Sequence, residues 1–237
     1  MLRSAAAFAG VLLASLPSFA IDDHLLLCEV ALRPSDAEFI EIKNPSPTPV
    51  SLDDYYLSDT SEYALLPGQF GSGPAPAIGA FDFIARFPPG SSLSPEGVAV
   101  VAIDGAGLAF GFPADFELLA TDPGTPDMLE AFAGSIGGSV GLTDAGEATI
   151  LFLWDGASDL VADADLFNAA EPSAGNQVGS KTGLFVDGPD VGTAQSFYAD
   201  EAGSLPIQIA THGPSHSTKR IASEATGSEV SGGNGQR

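Results

Sequence analysis

Gly137-Gly138-Ser139-Val140-Gly141 satisfies the G-x-S-x-G pattern, in which a sharp strand-to-helix turn lifts a serine nucleophile into reach of substrate. Strand-like residues follow Ser139 instead of a helix, so the segment reads as a glycine-rich turn. A hydrolase reading would have to take His212 or His216 as its base. Those histidines stand four residues apart, the spacing that puts two metal ligands on one helix face, but Gly213-Pro214 between them forbids a regular helix. Both are expected in a solvent-facing loop. Gly175 to Thr182 differs from a phosphate-binding loop at Ser180 and has no apolar strand before it, which predicts a loop with a solvated Lys181. Asp155, Asp159, Asp163, Asp165, Asp187 and Asp190 are hard oxygen donors near turns. If a strand period of two holds, Asp163 and Asp165 share a face and converge with Asp159 on one calcium ion, although the order of an EF-hand loop is absent. The competing reading is an ordinary solvated strand face. Cys28 is the single cysteine, so no internal disulfide is available, and it is expected as a small buried side chain on a strand. Pro45 after Asn44 disqualifies the glycosylation pattern at Ser46.

Whatever these residues do, short strands must position them. Gly and Pro separate runs rich in Val, Ile, Leu and Phe, the punctuation of an all-β sandwich or barrel. Strands are predicted over 24–30, 38–43, 55–59, 97–103, 149–154 and 160–166, the last two as an antiparallel pair with Trp154 at its edge. In the second of these, Ile40 and Ile42 face one side and Glu41 and Lys43 the other. Residues 97–103 are continuously apolar, as in a strand covered on both faces. The expected core includes Ile40, Ile42, Leu57, Val100, Leu151 and Leu153. Two short helices are predicted, over 114–119 and over 127–132, the second capped by Thr125 with Pro126 in its first turn. Residues 168–192 read mainly as a long loop, and 205–211 as a late strand.

The N-terminus combines Arg3, an apolar stretch from Ala5 to Leu16, and small Ser18 and Ala20, the layout of a cleavable export signal over residues 1–20. The stretch is too short to span a bilayer, and no later one replaces it, so no transmembrane anchor is expected. Cleavage after Ala20 removes one of the 8 bases and none of the 31 acids. The remaining charge repels phosphate backbones, which argues against nucleic acid as a partner. With 16% charged and 44% apolar residues, the chain is nevertheless a folded body and not an acidic tail.

The ordered set Leu26-Leu27-Cys28-Glu29-Val30, Glu38 to Pro45, Pro49 to Leu52, Tyr56 to Asp59, Leu93 to Val101, Gly141 to Asp163 and Ser217 to Arg220 resembles a lamin-tail domain, departing at Cys28, where that family often has Asn. The resemblance implies an immunoglobulin-like antiparallel β-sandwich over residues 21–222, with loop and short-helix insertions near 102–138 and 168–211; the residues over 223–237 themselves read as a flexible tail. The resemblance also implies a domain that binds or tethers and shares no catalytic pattern. The expected function is an exported, non-catalytic binding or structural module for an extracellular or cell-surface protein or glycan. The alternative is a secreted hydrolase using Ser139 with His212 or His216.

Overall fold

Alternation of apolar and polar side chains produces strands here because it gives each a face to bury. The computed structural model describes residues 24–105, 111–169, 181, 183–192, 194–198 and 211–220. In chain order its strands are β1 (Leu26–Ala31), β2 (Phe39–Lys43), β3 (Val50–Ser51), β4 (Tyr55–Ser58), β5 (Ile84–Arg86), β6 (Ser92–Leu93) and β7 (Val98–Ala102), then β8 (Phe116–Glu117), β9 (Leu129–Glu130), β10 (Glu147–Leu153), β11 (Ala162–Ala169), β12 (Phe185–Val186), β13 (Ser196–Phe197) and β14 (Thr218–Lys219). Among the described residues, helical structure is confined to 3-10 turns at Ser35–Ala37 and Ser61–Gln69. The export signal over 1–20, the tail over 223–237 and most of the strand expected at 205–211 lie outside the described residues.

Two five-stranded sheets, ordered β14-β1-β2-β7-β8 and β11-β10-β4-β5-β9, form an all-β sandwich, and β12-β13 and β3-β6 add two small ribbons. Ile40, Ile42 and Val101 of the first sheet meet Leu57, Ala85 and Leu151 of the second in one core, against which Leu153 packs half-buried. Val100 is buried too, but on the far side of its sheet with Ala31, Phe39 and Ala102. That second apolar face of β7 accounts for its unbroken hydrophobic run.

The second sheet is also covered twice. Its outer face packs Tyr56, Ile84, Ile150 and Phe152 against Tyr63 and Leu66 of the long 3-10 turn, together with Val186 and Tyr198. Trp154 is buried, donates from Nε1 to the Ser158 carbonyl (2.8 Å) and stacks on Phe70.

The predicted helices over 114–119 and 127–132 do not form. Residues 115–118 bond instead to the open edge of β7, with Asp115 N and Leu118 N donating to the carbonyls of Val100 and Ala102, so β8 joins in parallel. Phe116 thereby meets Phe87 edge-on. Thr125, expected as a cap, donates from Oγ1 to Asp122 Oδ2 within a turn, and Leu129–Glu130 pair with β5 as β9. Tertiary pairing outweighs weak local helix preference in segments this short.

Two bulges interrupt the sheet parity. In β1, Leu27 opposes Ile42 and Glu29 opposes Glu41, leaving Cys28 as the extra residue, which is why Leu27 and Val30, three apart, both face the core. In β11, Leu151 opposes Asp165 while Phe152 opposes Asp163, leaving Ala164 extra.

Candidate functional site

The bulge in β11 decides the fate of the predicted calcium ligands. Cross-strand partners share a face, and Leu151 points into the inter-sheet core while Phe152 points to the outer cluster. Asp165 and Asp163 therefore lie on opposite faces of β11, and the expected convergence of Asp159, Asp163 and Asp165 on one ion is corrected.

Asp163 is buried on the outer face in an ion pair with Lys181. Tyr63 Oη donates to Asp163 Oδ1 (2.8 Å), and Lys181 Nζ also reaches Tyr63 Oη (3.2 Å). The ammonium sits 5.4 Å from the ring centroids of both Tyr63 and Tyr198, a cation–π sandwich. Lys181 is only 2% exposed, so the expectation of a solvated loop lysine is also corrected. Its partners are 18 and 118 residues away, beyond the reach of any local pattern.

Asp165 joins the two sheets. Its Oδ2 accepts from Leu27 N (2.7 Å), an amide at the β1 bulge, and Arg220 Nη2 donates to both carboxylate oxygens (2.9 and 2.7 Å). Arg220 also binds the β1 backbone, from Nε to the Leu27 carbonyl and from its own amide to the Cys28 carbonyl. Beside that bulge, the Cys28 thiol donates to Glu41 Oε1 (2.9 Å), and burial, together with that carboxylate, pushes its pKa up and keeps it protonated.

The hydrolase candidates stay apart. Ser139 lies exposed on a turn with its amide bonded to the Ala80 carbonyl. His212 is buried, and its Nε2 accepts from Leu32 N (2.8 Å), which requires the proton on Nδ1, itself 2.9 Å from the Gly213 carbonyl. His216, exposed as expected, holds the Pro214 carbonyl. Among the described residues, no hydrogen bond links Ser139 to either histidine.

Asp155 accepts from the amides of Ala157 and Ser158 as a turn residue, and these bonds hold its pKa below the ordinary carboxylate range. Asp159 is found with Asp187 and Asp190, where one carboxylate oxygen of each lies within 4.8 Å of the others. Just beyond them the β12–β13 ribbon exposes Phe185 and Phe197, both 55% accessible, as a cross-strand ring pair.

Three further acids are buried together without having been signalled by any motif. Glu38 Oε2 accepts from Leu142 N, Asp59 Oδ1 from Phe83 N, and Glu147 from the amides of Thr143 and Ala148. Burial is the main cause that raises all three pKa values, Glu38 and Glu147 to about 7 and Asp59 well above its usual range.

Neither a protein-family model nor a curated protein matches the chain. Among solved structures it is similar to a DUF4876 family protein from Bacteroides thetaiotaomicron, at 17% identity and a TM-score of 0.45, over 66% of this chain. The match spans 56% of that protein's chain. Among the described residues, no helix is long and apolar enough to cross a membrane.

Proposed function

We propose that this chain is an exported, non-catalytic binding module of lamin-tail type, acting on an extracellular or cell-surface protein or glycan. The observation that carries the reading is the β12–β13 ribbon, which displays Phe185 and Phe197 side by side and exposed, with Leu184 and Val191 also exposed nearby. Apolar side chains gathered on one exposed element mark contact surfaces more often than scattered ones do. Aromatic rings also offer large area at low conformational cost.

The hydrolase alternative has less support. His212 spends both ring nitrogens on the backbone, leaving neither to take a proton from Ser139.

Two measurements test the reading. Purified protein is screened on glycan and extracellular-protein arrays beside the F185S/F197S variant, with binding expected for the parent and lost in the variant. In parallel, a fluorophosphonate probe for activated serines is expected to leave Ser139 unmodified. Labelling of Ser139 that disappears in H212A or H216A would replace this reading with the hydrolase.

A further inference from the structure

Asp159, Asp187 and Asp190 come from two separate segments, the β10–β11 connection and the stretch after β12, yet their carboxylates meet. Asp187 is 4% exposed, and its Oδ1 has no hydrogen-bond partner. No basic side chain pairs with any of the three among the described residues. A buried carboxylate oxygen left without a donor, with two more acids beside it, is unfavourable unless a cation completes the group.

The surroundings are built to hold these acids in place. Asp159 Oδ1 accepts from Gly188 N (2.8 Å) and Oδ2 from Ser196 Oγ (2.6 Å), which ties the connection to the segment just after β12 and to β13 itself. The Asp187 carbonyl accepts from the amides of Ser72 and Gly73. The backbone there is so closely approached that a Cβ on Gly71 would stand 1.9 Å from the Asp187 carbonyl oxygen. A Cβ on Gly188 would stand 2.8 Å from that of Ser158.

From this geometry we infer a calcium site formed by Asp159, Asp187 and Asp190 at the base of the β12–β13 ribbon. The donors are all carboxylate oxygens, with no imidazole or thiolate, and such a set selects a hard cation. Calcium binds oxygen at about 2.3–2.6 Å, so one ion spans oxygens separated by the distance seen here. Exposed Asp190 leaves one side of the ion open to water, which fills the remaining positions of its six- to eightfold shell. The ion would clamp the connection to the ribbon and fix the presentation of Phe185 and Phe197. The site does not depend on the proposed ligand class.

The test uses the whole chain, freed of metal with chelator and then titrated calorimetrically with calcium chloride and, separately, with magnesium chloride. Thermal unfolding is followed in parallel. Calcium is expected to bind at one site and raise the melting temperature, with magnesium at least about tenfold weaker. D187N is expected to abolish binding. Because D187N alters a buried residue, D190N, on the exposed rim, keeps the test decisive: it should melt like the parent in chelator and bind calcium about tenfold or more weakly. Absence of heat and of any melting shift at roughly 10 mM calcium would overturn the proposal. Unchanged calcium affinity in D190N and D187N would overturn it equally, by placing the ion elsewhere.

Discussion

On β11, Asp163 and Asp165 are buried each against a cation, Lys181 on one face and Arg220 on the other. Glu38 and Asp59 are buried by different means. They accept backbone amides from Leu142 and Phe83, other acids lie nearby, and burial drives their pKa values up. A carboxylate taken out of water has to be neutralised either by a counter-charge or by its own proton. The first choice makes stability depend on one named side chain, and the second makes it depend on pH.

The largest expected effect comes from removing the counter-charge on the more deeply buried side. K181M should cost about 3–5 kcal/mol in urea unfolding, since the charge of Asp163 loses its ionic partner in a buried site. K181M/D163L should recover much of that loss, because deleting both charges also deletes the desolvation penalty. A double variant as unstable as the single one would mean that Lys181 matters for packing between Tyr63 and Tyr198 and not for charge.

R220A should follow, at about 2–3 kcal/mol, because Arg220 is partly solvated but Asp165 is only 1% exposed. Its loss also removes two bonds to the β1 backbone.

Glu38 and Glu147, whose pKa values burial raises, give a smaller and pH-dependent effect. Their folded-state pKa values lie above the ordinary one, so between about pH 4.5 and 7 the folded state holds more protons than the unfolded state. Stability is therefore fully present below that window and falls as pH rises through it, by about 1–2 kcal/mol per group, less than the full shift because water partly screens both sites. Denaturation curves at pH 5 and pH 8 should show the decline, and E38Q, which cannot ionise, should flatten it by about one proton's contribution. A parent protein more stable at pH 8 than at pH 5 would refute this half of the contrast.

At the lower end, K219A should change stability by less than about 1 kcal/mol, although Lys219 pairs with both Glu29 and Glu41. Its side chain is 59% exposed, and water already screens the pair.

The strands that carry the sandwich were legible in the sequence because alternation writes itself in residues such as Ile40, Glu41, Ile42 and Lys43. The same parity rule misled at Asp163 and Asp165. A bulge needs one extra residue, and Ala164 looks no different from any other alanine in a strand. Segments 114–119 and 127–132 are too short for a period to emerge, so which edge captures them was decided by the vacancy beside β7 and β5. Asp159, Asp187 and Asp190 were each visible as oxygen donors, but their grouping is tertiary and no spacing encodes it. Lys181 was hidden for the same reason.

The pairing of β14 with β1 also has a consequence in time. Lys219 meets Glu29 across 190 residues, so during N-to-C synthesis β1 can find β2 early, while its other edge waits for that whole intervening stretch to emerge. Until Thr218 to Arg220 arrive, that edge offers unpaired amides and carbonyls to any neighbouring strand, and Asp165 has no guanidinium. The last described segment thus acts as a latch whose closure turns a vulnerable nascent sheet into a finished one, and any delay or truncation before it should favour self-association over folding.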